Sequence, residues 1–182
     1  MLRHVLGVLL AAAPVAAASG QEQGSDGWAL AAMPNGCMVQ AVSPHGTMLS
    51  IWGFAGEDSL GFLLQNPSWE VKDGAKTPLS VEFPGAEAWP VEATARAHID
   101  SDGPGLYFTV EPGRPSANSF LAALASAKGM SIRRDGADVD TLPLAGSRGA
   151  IASLARCLAD RWNAPPPAGE ENKPAEPDAV TA

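Results

Sequence analysis

The chain has 182 residues, with 12 lysines and arginines against 20 aspartates and glutamates, and a formal net charge of −8. That acidity argues against nucleic-acid binding, which needs a basic face, and two cysteines are too few for a disulfide-rich miniprotein or a four-cysteine zinc site. The length suits one domain, and a hydrophobic content of 46% can supply a core.

The first predicted segment, residues 1–20, reads as a signal peptide. Arg3 and His4 form a short polar start, Val5 to Ala13 is apolar, and Ala16-Ala17-Ala18-Ser19-Gly20 supplies a small-residue exit. The apolar run is shorter than the roughly 20 residues that a bilayer span needs. Cleavage is expected before Ser19 or Gln21, and no cysteine stands there to carry a lipid. All eleven aromatic residues fall between Trp28 and Trp162, so one folded domain is expected over residues 27–163. Residues 164–182 combine five prolines and four acids with no aromatic residue. Such a composition cannot offset its ordering entropy, and a disordered acidic tail is expected.

Within the domain, turn residues separate short apolar runs. Strands are predicted at Trp28–Met33, Cys37–Val42, Thr47–Trp52, Ser59–Gln65, Pro78–Phe83, Pro90–His98 and Leu106–Val110. Leu79, Val81 and Phe83 share one face of their run, as do Val91, Ala93, Ala95 and Ala97. The last third changes period. Ser119 to Lys128 is alanine-rich; Pro115, Ser116 and Asn118 supply helix-start chemistry, and Gly129 suits a C-terminal cap. Met130–Arg134 and Asp138–Leu142 flank Asp135-Gly136, a hairpin signal. A second helix is predicted from Ser147, as N-cap, to Trp162. It carries a stripe of Ile151, Leu154, Leu158 and Trp162, with Ala155 beside them. The fold class is α+β: an antiparallel sheet or sandwich with two C-terminal helices packed on one side.

Export places the cysteines in an oxidising compartment, where a single intramolecular pairing, Cys37–Cys157, is available. A redox thiol or metal ligand finds no support, since neither cysteine has a Cys-x-x-Cys partner or a histidine at ligand spacing. Separate thiols or an intermolecular bond are the remaining alternatives.

The segment Gly129-Met130-Ser131-Ile132, followed by Asp135-Gly136, Leu142-Pro143-Leu144-Ala145-Gly146-Ser147, Ala150-Ile151 and Leu154, resembles the end of small exported bacterial proteins of the invasion-associated locus B type. In those proteins a hairpin leads through a leucine–glycine–small-residue turn into a final helix. It is also similar to the end of some periplasmic accessory proteins of type VI secretion, which place a cysteine in the last helix as Cys157 does here. The resemblance covers residues 129–154, and the N-terminal half lacks the additional cysteine expected of the first family. It implies a small periplasmic β-rich protein without known catalysis and carries no site residues over.

Three kinds of chemistry can be read from the residues. Asp100 to Glu111 places Asp100, Asp102, Gly105 and Glu111 at positions 1, 3, 6 and 12 of a calcium loop, but Pro104 and Phe108 occupy ligand positions. A turn with solvated aspartates is the competing reading, and Asp135, Asp138 and Asp140 read as an acidic hairpin surface. His45 and His98 could each act as a general base in a small secreted hydrolase. However, Gly146-Ser147-Arg148-Gly149 is not a nucleophile elbow, and no other catalytic motif is present. Trp52, Phe54, Trp69 and Trp89 lie near turns and can form a recognition surface, or can fill the sheet ends as core. The expectation is an exported, periplasmic or secreted, non-catalytic binding or envelope accessory protein. It would need no cofactor, have an envelope protein or peptide as partner, bind no nucleic acid and keep no membrane span after leader removal.

Overall fold

Glycine, proline, asparagine and aspartate cut the first two thirds of the chain into short apolar runs, and each predicted run forms a strand. The computed structural model describes residues 22–23, 27–99 and 103–163. The expected leader, the expected tail and the Asp100–Asp102 start of the calcium-type loop lie outside the described residues. The elements in order are β1 (Glu22–Gln23), β2 (Trp28–Met33), β3 (Gly36–Val42), β4 (Met48–Phe54), β5 (Leu60–Gln65), β6 (Lys76–Glu82), β7 (Trp89–Arg96) and β8 (Gly105–Val110). Helix α1 (Pro115–Ser126), the hairpin β9 (Gly129–Arg134) and β10 (Ala137–Pro143), and helix α2 (Ser147–Trp162) complete the described elements.

All ten strands belong to one antiparallel sheet, in the order β1-β2-β3-β4-β5-β8-β7-β6-β9-β10. The fold is therefore α+β as expected, with a single sheet instead of a sandwich. The sheet curls until strands remote in its order meet. The Trp28 indole Nε1 on β2 donates to Ala145 O beyond β10 at 2.9 Å, and the β3–β4 turn bonds to Asp140 of β10. Curling is the ordinary response of a wide twisted sheet. The β9–β10 turn uses Asp135 and Gly136, both at positive φ (52° and 80°), as a two-residue hairpin of this hand requires.

One face of the sheet makes the core. Val39, Leu49, Ile51, Phe62, Leu64, Val81, Leu106 and Ile132 alternate inward and are almost completely buried. Phe120 of α1 is the hub of the aromatic packing, edge-on to Phe62, Phe83 and Trp89 with centroids 5.5, 5.5 and 6.0 Å away. Phe62 also stacks on Phe108 at 5.1 Å. Such pairs add about 0.5–1.5 kcal/mol each beyond their buried area. Leu124 of α1 and Leu154 of α2 seal the same interior.

The disulfide joins Cys37 of β3 to Cys157 of α2, with Cα atoms 6.2 Å apart and a sequence separation of 120. This covalent tie fixes α2 against β3. It also sets the buried stripe of α2, which runs through Ser147, Ala150 and Leu154 toward Cys157 and Leu158. Trp162, predicted for that stripe, is instead 63% exposed. At ~100° per residue it sits about 90° around the axis from the stripe's centre. Ala155 is exposed for the same reason.

Three predicted caps differ from those found. The N-cap of α2 is Gly146, in the left-handed region (φ 79°), and Ser147 is the first helical residue. The Ser147 hydroxyl donates to Leu124 O at 2.8 Å and so ties the two helices together. Helix α1 ends at Ala127 in an extended conformation, so Gly129 opens β9 and does not cap. Its N-cap is Arg114, and Asn118 Oδ1 accepts from Gly113 N–H in the preceding turn.

Candidate functional site

The outer face of the sheet carries a groove of about 850 Å³ lined by Trp52, Leu63, Asp73, Arg96, His98, Ile99 and Tyr107. Register explains the assembly. Trp52 on β4 pairs with Gly61 on β5, Leu63 on β5 pairs with Tyr107 on β8, and Gly105 on β8 pairs with Arg96 on β7. Four adjacent strands thus each bring one component to the same face.

Two glycines make the groove's floor possible. A Cβ on Gly61 would lie 2.3 Å from Cε2 of the Trp52 ring, so the indole rests flat against the β5 backbone. A Cβ on Gly105 would lie 2.8 Å from Ile99 Cδ1 and 2.9 Å from Leu63 Cδ1. Neither glycine has a positive φ. Their role is space, which is the usual reason for a glycine in a strand interior. Lying over Gly61, the Trp52 ring reaches Tyr107, with centroids 5.7 Å apart and planes inclined by 22°. The two stacked rings form a half-buried aromatic platform that lines the groove.

Polar groups stand at the rim. Asp73 Oδ1 accepts the Ala97 N–H at 3.1 Å, which holds the carboxylate in place. Arg96 and His98 are exposed and form no ion pair among the described residues. The groove therefore presents aromatic and aliphatic side chains beside a guanidinium, an imidazole and an oriented carboxylate. It can stack a ligand and bond its polar edge.

The other aromatic residues singled out in the sequence lie elsewhere. Phe54 ends β4, half-buried against the Gly36 turn. Trp69 is half-buried in a separate cleft shared with Arg134 and Asp138 of the β9–β10 hairpin. Trp89 packs edge-on against Phe83 and Phe120, at one side of a third cleft along α1. Of the four, Trp52 alone lines the outer-face groove.

A second polar cluster surrounds Asp140. Its carboxylate, read from sequence as part of a solvated hairpin surface, has a side chain only 3% exposed. Asp140 alternates with the buried Leu142 onto the inner face, and the register shift between Asp138 and Asp140 leaves Asp138 outward. The Ser43 hydroxyl donates to Asp140 Oδ2 at 3.0 Å, His45 Nδ1 donates to Oδ1 at 2.9 Å, and Thr141 N–H donates to Oδ1 at 2.7 Å. Burial alone would raise the Asp140 pKa, but hydrogen bonds from Thr47, His45, Thr141 and Ser43 together hold it below the ordinary aspartate range. Asn66 Nδ2 donates to Thr47 Oγ1 and His45 O, extending the network to the residue that follows β5.

Asp140 orients His45 as a carboxylate orients a general base, but among the described residues no nucleophile is bonded to His45. Ser43 Oγ gives its proton to Asp140 and accepts the N–H groups of His45 and Thr47 at 3.2 and 3.1 Å. The His45 side chain is 74% exposed. This cluster is a clasp that fastens the β3–β4 turn to β10. In the calcium-type loop, residues 105–110 are extended as β8, which carries Glu111 about 20 Å from the turn that precedes it. Among the described residues no group of three or more histidines, cysteines, aspartates or glutamates is placed to hold a metal ion.

Comparison with protein-family models, curated proteins and solved structures finds no match to this chain.

Proposed function

We propose that this is an exported, non-catalytic binding protein of the cell envelope that takes its ligand in the outer-face groove over Trp52 and Tyr107. The observation that carries the reading is the platform itself. An aromatic pair seated over the in-strand Gly61, with Arg96 and His98 beside it in no ion pair among the described residues, has no role in the core. The Cys37–Cys157 disulfide is consistent with an oxidising, exported location. No described helix is long and apolar enough to cross a membrane.

The test is capture from a periplasmic extract by the full disulfide-bonded chain, run beside the Trp52→Ala/Tyr107→Ala double variant. A component retained by the wild type and lost by a folded double variant supports the reading. Identical retention by both overturns it. The alternative of a small hydrolase draws on the oriented His45. Turnover of a panel of chromogenic esters and glycosides that disappears in His45→Gln would replace the non-catalytic assignment.

A further inference from the structure

Independently of what the groove binds, we infer that Met48 is a methionine sulfoxide site, in which a hydroperoxide oxidises the thioether and two glutamine amides receive the new oxygen. The outer face of β3, β4 and β5 brings the parts together. Met48 opens β4 and is half-buried, and its cross-strand partner Val42 is 60% exposed, which leaves a path for a small oxidant. Gln40 lies two residues from Val42 on the same face of β3. Its amide donates to Ser50 Oγ at 2.9 Å and to Met48 Sδ at 3.5 Å. Ser50 is buried, so it anchors the amide that points at the sulfur. On the other side, Gln65 of β5 stands directly opposite Met48. Residues so paired share a face with Cβ atoms about 4.5–5.5 Å apart, so the two side chains are neighbours. Gln65 is 3% exposed, and its Nε2 is a buried donor with no hydrogen-bond partner. Such a group is costly, and native proteins hold few of them. A thioether sulfur is a weak acceptor, whereas a sulfoxide is polar and accepts strongly through its oxygen. Met48 thus lies between one amide that already points at its sulfur and another that lacks an acceptor. In the reaction with hydrogen peroxide, a sulfur lone pair attacks one peroxide oxygen. The S–O bond forms as the O–O bond breaks, and the second oxygen leaves as water with both protons. Sulfur gives up two electrons and the peroxide takes them. Oxidation ordinarily disrupts packing by making an apolar side chain polar, but here the glutamines accommodate the product. The other described methionines lack this setting: Met33 lays its Cε against Gly36, Met38 stands opposite Trp52, and Met130 is buried in the core.

The experiment is limited oxidation of the full disulfide-bonded chain with hydrogen peroxide, read by peptide mass mapping, side-chain amide NMR and thermal melts. Met33→Leu/Met38→Leu removes the other outer-face thioethers by a volume-conserving exchange. In that background Met48 should gain one oxygen at a peroxide dose that leaves Met130 unchanged. The Nε2 amide signals of Gln40 and Gln65 should shift, and the oxidised protein should melt no lower than the reduced one. When Gln65→Leu is added, oxidation should instead lower the melting temperature by several degrees. The inference is overturned if Met48 stays a thioether while Met33 and Met38 of the wild type are converted. It is equally overturned if oxidation of Met48 leaves the Gln65 amide signal in place, or if it destabilises the parent and the Gln65→Leu variant alike. Should Gln65→Leu fail to fold, the Gln65 amide signal of the parent decides alone.

Discussion

Removing the cross-link by Cys37→Ala/Cys157→Ala should cost this fold more than any single surface change. The disulfide closes a loop of 120 residues. In the chain-entropy model that constraint is worth about 5 kcal/mol at 25 °C, through the lost freedom of the unfolded chain. Cys37 is fully buried, and replacing it adds a small packing loss of about 1 kcal/mol. For roughly 135 folded residues, an unfolding entropy of about 2.1 cal/mol/K per residue converts about 5–6 kcal/mol into a fall in Tm of about 18–21 °C. Urea unfolding should show a larger m-value as well, because the released chain expands further when unfolded. Paired urea and thermal melts of the two proteins make the measurement. A loss of Tm under about 4 °C with an unchanged m-value would refute the reasoning. It would mean that the unfolded chain is already confined without the bond, and that packing alone fixes α2 on β3.

Other expectations concern the clasp and the core. Asp140→Ala should lose about 3 kcal/mol in urea melts, because it strips a buried carboxylate from Ser43, His45 and Thr141 and leaves donors unpaired; a loss under 1 kcal/mol would show the clasp to be idle. The folded-state pKa of Asp140 lies below its unfolded value, so the carboxylate adds stability above about pH 4 and progressively less as pH falls through the folded pKa. Asp140→Asn should therefore flatten the acid limb of stability below about pH 4, and an unaltered limb would contradict the assignment. Leu124→Ala should cost about 2–5 kcal/mol, since the side chain is fully enclosed between α1 and the sheet; an effect below 1 kcal/mol would mean that the helix packs loosely.

The elements were legible because their signals are local. The Asp135-Gly136 hairpin, the α2 span from Ser147 to Trp162 and the alternation of Leu79, Val81 and Phe83 each depend on neighbours a few residues apart. The Cys37–Cys157 pair was legible because exclusion left one partner. The groove was not, because it is a product of register. Trp52, Gly61, Tyr107 and Arg96 come from four strands whose order places β8 beside β5, and no sequence period encodes that neighbour. Gly61 and Gly105 were the available hint, as glycines inside strand-like runs that no turn requires. Asp140 was misread for a related reason. It shares the inner face of β10 with Leu142, but its partners Ser43 and His45 come from the β3–β4 turn, well outside its own hairpin. Trp89 shows the converse case, an aromatic beside a turn that the helix Phe120 draws into the core.

The central claim is that the ligand sits on the outer face against Trp52. The most direct measurement is a two-dimensional NMR titration of the indole N–H signals of the five tryptophans with the envelope fraction that the protein retains, assigned with Trp52→Phe. The Trp52 signal should move saturably, while that of Trp28, bonded internally to Ala145 O, stays in place. A saturable shift confined to Trp69 or Trp89, with Trp52 unmoved, would contradict the account.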